Sequence, residues 1–177
     1  MSKPTLATIW LEGCSGCHMS ILDMDERLLD LAEKVDVIFS PYVDIKEFPN
    51  QVDVTLVEGA IATEEDLKKI RKIRESTDIL IAFGDCAVTG NVPSMRNPFG
   101  KDSVLDRSYQ DNATENPQIP HEAIPPLLEK AQPLHEFVEI DLYMQGCPPS
   151  ADTIHYAISE LLEGRQPELT EITRFGK

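Results

Sequence analysis

Thr5-Leu6-Ala7-Thr8-Ile9-Trp10-Leu11-Glu12-Gly13-Cys14-Ser15-Gly16-Cys17 is the stretch that decides how this chain is read. Thr5 to Leu11 is a short apolar run of strand length, and Glu12-Gly13 ends it as a turn. Helical spacing follows. From His18 to Lys34 the residues Ile21, Leu22, Met24, Leu28, Leu29, Leu31 and Ala32 recur at three- and four-residue steps, with acidic residues filling much of the remainder. A buried strand, a tight turn and a helix make the first unit of an alternating α/β chain.

The pattern repeats outward from that unit. Val35 to Ser40 and Val52 to Val57 are β-branched runs that predict two more buried strands, the first stopped by Pro41 and the second followed by Glu58-Gly59. Thr63 with Asp66 three residues on predicts a capped helix, whose Lys68, Lys69, Arg71, Lys72 and Arg74 form a solvated face toward the negative end of its dipole. Asp78 to Phe83 is a fourth strand closed by Gly84, and Glu136 to Met144 a fifth broken by Gly146. Ser150 caps a last helix through Leu162 that ends at Gly164. Seven of the 13 prolines fall from Pro93 to Pro133, so residues 91–133 are expected to run irregularly, with one short helix near Ile124 to Lys130. The expectation is a doubly wound parallel sheet in a single domain over residues 1–177.

Composition bounds the function. Hydrophobic residues make up 41% and charged residues 27%, which excludes disordered and collagen-like classes. The 31 Asp and Glu against 16 Lys and Arg give a net charge of -15, which repels phosphate backbones and anionic lipid, so neither nucleic acid nor membrane is an expected partner. No apolar stretch approaches the ~18 residues of a membrane span, and Met-Ser-Lys-Pro-Thr does not open a signal peptide. A cytoplasmic location is expected, where structural disulfides are rare and cysteines serve metals or thiol chemistry.

All four cysteines follow predicted strands: Cys14 and Cys17 the first, Cys86 the fourth, Cys147 the fifth. With 68 residues between Cys17 and Cys86 and 60 between Cys86 and Cys147, only the fold can unite them, at the carboxyl rim where parallel sheets bind ligands. Gly13, Gly16, Gly84 and Gly146 lie within two residues of a cysteine, where absent side chains let backbone amides approach a bulky anionic group. Pro148 directly follows Cys147, as in ferredoxin-type patterns. Three chemistries compete. A zinc site commonly presents two close cysteine pairs, and here only Cys14 and Cys17 form one. A thioredoxin-like dithiol explains that pair and leaves Cys86 and Cys147 without a role. A four-iron four-sulfur cluster uses all four, and the spacing favours it without closing the other two readings. A flavodoxin-like flavin carrier would need a phosphate cradle after the first strand, where the cysteine turn stands instead, and no nucleotide-binding glycine loop is present.

Trp10-Leu11-Glu12-Gly13-Cys14-Ser15-Gly16-Cys17-His18-Met19-Ser20, Val57-Glu58-Gly59-Ala60-Ile61, Gly84-Asp85-Cys86-Ala87-Val88-Thr89-Gly90 and Gly146-Cys147-Pro148-Pro149 together resemble the successive motifs of nickel-iron hydrogenase small subunits over residues 5–164. The resemblance implies a flavodoxin-like domain holding the 4Fe-4S cluster proximal to the nickel-iron site, with Cys14, Cys17, Cys86 and Cys147 as its ligands. The chain has neither a twin-arginine leader nor a cysteine-rich C-terminal region, and so looks like the short cytoplasmic, bidirectional NAD-reducing type. That type implies a large subunit carrying nickel and iron, and diaphorase subunits carrying flavin and further iron-sulfur clusters. On this reading the chain breaks no bonds itself and carries electrons, in an acidic setting that favours low cluster potential. Two alternatives stand beside it: the small subunit of another cytoplasmic nickel-iron hydrogenase, coupled to sulfur, NADP or a deazaflavin, and the homologous subunit of NADH:quinone oxidoreductase, which has adjacent cysteines in its first motif where two residues separate Cys14 and Cys17 here. The wider family often has Glu directly before the first cysteine, whereas here Gly13 stands there and Glu12 precedes it, which points to an exposed carboxylate or a subunit contact. Glu58 is expected to accept backbone hydrogen bonds at its strand end, and His18 to be a surface or packing residue. Trp10, Val92, Met95 and Phe99 are the expected exposed apolar residues facing a partner.

Overall fold

The computed structural model describes residues 3–176. In chain order the elements are β1 (Thr5–Trp10), α1 (Gly16–Leu22), α2 (Arg27–Lys34), β2 (Asp36–Phe39), β3 (Val52–Glu58), β4 (Ile61–Thr63), α3 (Glu64–Glu75) and β5 (Thr77–Phe83). There follow α4 (Asp85–Thr89), α5 (Asn91–Ser94), α6 (Lys101–Asp106), β6 (Leu127–Gln132), β7 (Leu142–Met144) and α7 (Ala151–Leu162). Five strands pair in parallel in the order β2-β1-β3-β5-β7, and β4 pairs antiparallel with β6. The chain runs from β1 outward to β2 and then crosses back to β3, so the order reverses between β1 and β3, where such sheets bind ligands.

Two cores explain the apolar runs. On β5 the side chains of Ile81 and Phe83 enter one core with Met24, Leu31, Ile154 and Ile158, while Leu80 and Ala82 enter the other with Ile70, Ile73 and Leu134. The period of two along a strand divides a continuous apolar run between two faces, which is why Ile79 to Phe83 of β5 is apolar at every position. No helix among the described residues is long and apolar enough to cross a membrane.

The expected cap of α3 is present in full. The Asp66 N–H donates to Thr63 Oγ1 at 3.1 Å, while Asp66 Oδ2 accepts from the Thr63 N–H at 2.9 Å, with both residues buried. Thr63→Ala should cost about 1–2 kcal/mol, read as a lower urea midpoint at unchanged slope. Ser150 likewise accepts from the Thr153 N–H at 3.2 Å at the start of α7.

Four expectations are corrected. The helix expected over His18 to Lys34 is two, α1 and α2, separated by a turn in which Asp25 has φ 50°; the bend carries Met24 into the core and leaves Leu22 and Leu29 exposed. β2 is not a buried strand but the sheet edge, with Asp36 and Val37 exposed. The helix expected near Ile124 to Lys130 is strand β6, because β4 takes one edge of it and side chains take the other: Arg96 donates to Leu128 O at 2.8 Å, and Asn97 exchanges bonds with both backbone groups of Ala131. Residues 91–133 accordingly contain α5, α6, a π turn (Arg107–Asp111) and β6, with residues 112–126 outside any regular element. The strand expected over Glu136 to Met144 is confined to Leu142–Met144; Phe137, Val138 and Ile140 pack on the α3 side of the sheet without joining it.

Candidate functional site

The carboxyl ends of β1, β3, β5 and β7 lie side by side and set the site. After β1 the chain folds over the end of β3, with Leu11 N–H donating to Glu58 O at 2.9 Å and Ala60 N–H to Glu12 O at 2.7 Å. Gly59 permits this contact, since at φ 96° a Cβ would stand 2.8 Å from Glu12 O. Ser15, at φ 63°, then turns the chain into α1.

The first turn of any helix leaves amide donors without intrahelical acceptors. In α1 the His18 N–H is satisfied from a distance, donating to Glu58 Oε2 at 3.0 Å; the same oxygen lies 2.5 Å from His18 Nδ1. Both residues are buried, and the imidazole sits edge-on between the rings of Tyr42 and Phe83. Glu58 thus accepts a backbone hydrogen bond as expected, and a side-chain partner as well. His18 is a packing residue and not a surface one; its Nε2 is the buried side-chain polar atom without a hydrogen-bond partner among the described residues.

Gly84 begins the turn after β5. Its N–H donates to Met144 O at 2.8 Å and the Asp85 N–H to Gly146 O at 2.9 Å, so the Cys86 turn is laced to the loop that bears Cys147. A Cβ on Gly84 would lie 2.2 Å from Cys17 Sγ, and one on Gly16 would lie 3.3 Å from Cys14 Sγ. The glycines therefore clear space immediately against two of the thiols.

The structure brings all four cysteines together. Cys17 and Cys86 are buried; Cys14 and Cys147 are exposed at the mouth. Burial pushes the Cys17 thiol up, reinforced by the charge of Glu58 and then by Cys86, Cys14 and Cys147. Burial likewise raises Cys86, against the lowering effect of the Val92 N–H, with Cys14, Cys147 and Glu58 adding to the rise. Burial disfavours bare thiolates at Cys17 and Cys86, so they remain neutral thiols unless a cationic or metal-containing group binds there. Among the described residues no group of three or more His, Cys, Asp or Glu is placed to hold one metal ion.

The apolar residues expected to face a partner are exposed. Val92, whose N–H reaches Cys86, is 56% exposed, Met95 69% and Phe99 70%, with Trp10 exposed at the end of β1. Glu12 is solvent-accessible, as expected; partial burial against neighbouring chain raises its carboxyl pKa, Asp66 adds to this and Arg96 opposes it. A separate cleft of ≈ 630 Å³ beside Trp10, under residues 40–48, contains no cysteine. His121, His135 and His155 join no cluster among the described residues.

Comparison with known proteins gives a consistent placement. The family model "NADH ubiquinone oxidoreductase, 20 Kd subunit" matches residues 14–161. The chain is 42% identical to the NAD-reducing hydrogenase HoxS subunit delta of Cupriavidus necator, covering 98% of this chain and 86% of that protein. It is also 42% identical to a subunit of the vhu F420-non-reducing hydrogenase of Methanocaldococcus jannaschii, but spans only 57% of that protein's length. A chain of a solved NAD+-reducing nickel-iron hydrogenase in its H2-reduced state superposes with TM-score 0.93 and 37% identity, over 98% of this chain and 99% of that one. The chain belongs to the family of the 20 kDa subunit of NADH ubiquinone oxidoreductase and stands in it among the hydrogenase small subunits.

Proposed function

We propose that this chain is the electron-transfer small subunit of a nickel-iron hydrogenase and holds one 4Fe-4S cluster through Cys14, Cys17, Cys86 and Cys147. The observation that carries the reading is the gathering of four thiols from three strand ends around a space that Gly16 and Gly84 keep clear. A cubane gives each of the four thiolates its own iron, whereas a zinc ion would take all four at about 2.3 Å from one centre, so iron and sulfide content separates the two. The thioredoxin-like dithiol leaves the approach of Cys86 and Cys147 to Cys17 without a purpose.

A cluster bound there supplies single-electron storage between a two-electron donor and its acceptor. The chain's own residues set the conditions. Cys17 and Cys86 keep the inner side of the ring away from water, and Glu58 adds a buried negative charge beside it, which favours the oxidised form. Cys14 and Cys147 are exposed, and the exposed Val92, Met95, Phe99 and Trp10 supply apolar area suited to burial against the nickel-iron large subunit. The further partners are diaphorase subunits bearing flavin and iron-sulfur clusters, with NAD as the acceptor and the cytoplasm as the location. The likeness to the HoxS delta subunit over most of its length supports NAD over the acceptors of the vhu type.

Anaerobic co-purification tests this. Iron and sulfide near four each per chain are expected, together with a nickel-containing and a flavin-containing partner. One zinc and no iron would remove the cluster, and a complex without flavin would remove the NAD module. Cys86→Ser should abolish or alter the paramagnetic signal of the reduced protein; an unchanged spectrum would show that Cys86 is no ligand.

A further inference from the structure

Asp85 sits directly before Cys86 and is 4% exposed. A carboxylate taken out of water is costly unless its oxygens are hydrogen-bonded. Here each oxygen has its own backbone donor: Oδ1 accepts from the Gly146 N–H at 2.7 Å and Oδ2 from the Gly176 N–H at 2.6 Å. The Asp85 N–H returns a bond to Gly146 O at 2.9 Å, so the residues preceding Cys86 and Cys147 hold each other by a reciprocal pair across 61 positions. The side chain reaches a third segment as well. Leu169 is buried in the core beside α7, the Thr173 hydroxyl lies 2.7 Å from Gln145 Oε1, and Gly176 ends on Asp85. Residues 169–176 therefore lie along the Cys147 loop as a strap, fastened at one end in the core and at the other on the carboxylate.

We propose that Asp85 is a positioning residue of the cysteine site: its carboxylate clamps the Cys86 turn, the Cys147 loop and the C-terminal strap into one unit, and its fixed charge lowers the reduction potential of the group those cysteines hold. Backbone bonds alone would leave the Cys147 loop attached to β5 on one side, through Gly84, Asp85 and Met144. The carboxylate closes the other side and brings a negative charge within one residue of a buried thiol. Adding an electron to a site next to a fixed anion is disfavoured, so the charge acts in the direction of low potential. Partners of this kind, one layer beyond the metal ligands, typically govern metal retention by a factor of 10–100.

The inference rests on the cluster reading above, and two variants in the intact complex test it. Asp85→Asn preserves shape but removes the charge and sets an NH2 group against an N–H donor. It should keep its iron at purification, titrate at a more positive midpoint potential in the paramagnetic signal, and release iron to a chelator about 10-fold faster. Gly176→Pro leaves every charge in place and removes one donor; it should speed iron release with the midpoint potential nearly unchanged. A wild-type potential in Asp85→Asn would overturn the electrostatic role, and wild-type release in both variants would overturn the clamp. If the wild-type protein carried no iron-sulfur signal, the cluster reading would fail instead. The clamp would still be read by hydrogen exchange at Gly146 and Gly176, which Asp85→Asn should accelerate and which would refute it if unchanged.

Discussion

Gly84→Ala should give a protein that folds with reduced stability and loses most of its iron. Two effects add at this position. Gly84 has φ 85° and ψ 164°, a region open essentially to glycine alone, and placing a side chain there costs about 1–3 kcal/mol. The new Cβ would also lie 2.2 Å from Cys17 Sγ, far inside contact distance. The backbone of Gly84 is held by Met144 O and cannot retreat cheaply, so the short Cys17 side chain is the part that moves, and its sulfur leaves the ring. Gly100→Ala isolates the first effect: φ is 77° and ψ 151° there, and a Cβ would meet nothing nearer than Glu129 Oε1 at 4.0 Å. Both variants should lose stability in thermal unfolding, Gly84→Ala the more, while only Gly84→Ala should lose iron and the reduced-state signal. Equal iron content in the two would mean that Cys17 tolerates the displacement and is not a ligand.

Gly84 also shows how the candidate site could be proposed from the sequence. Its place between a strand and a cysteine was visible, and parallel strands that share one direction deliver their following turns to one rim. Thr5 to Leu11, Val52 to Val57 and Asp78 to Phe83 could be read as strands because they are buried on both faces, where an apolar run needs no partner to be recognised. β4 and β6 could not. β6 contains Glu129 and Lys130 after two prolines, and becomes a strand only because Arg96, Asn97 and β4 satisfy its edges, contacts set by tertiary structure. The break between α1 and α2 was hidden for a related reason: an apolar stripe with helical spacing does not reveal that Asp25 adopts a left-handed conformation. Glu58 gave a partial signal, as the last residue of a run buried on both faces and so itself due to be buried. Its partner His18 lies 40 positions earlier, and the Asp85 clamp depends on residues 61 and 91 positions later, distances at which a single sequence carries no pairing information.

The His18–Glu58 pair should be the costliest side-chain interaction to break. Glu58→Ala strips the acceptor from two buried donors at once, the His18 N–H and the imidazole Nδ1 side, in a pocket already closed by Phe83. A buried group left without its partner costs about 1–3 kcal/mol, and breaking a buried ionisable pair from one side costs about 3–5 kcal/mol. Against the 5–15 kcal/mol that holds a typical domain together, such a loss brings the chain close to unfolding at ambient temperature. Trp10, the one tryptophan, ends the strand next to Glu58 and reports the transition by fluorescence in urea. Glu58→Gln retains an acceptor for one donor and should lose less than half as much. The double change His18→Phe with Glu58→Leu removes the imidazole together with the carboxylate and should recover the share owed to the ring, but not the share owed to the His18 N–H, which remains without an acceptor at the head of α1. The order of stability is therefore wild type, Glu58→Gln, the double variant, then Glu58→Ala. A Glu58→Ala midpoint equal to that of wild type would show that α1 is held by its packing alone, and that the carboxylate under the cysteine turn serves only the charge of the site.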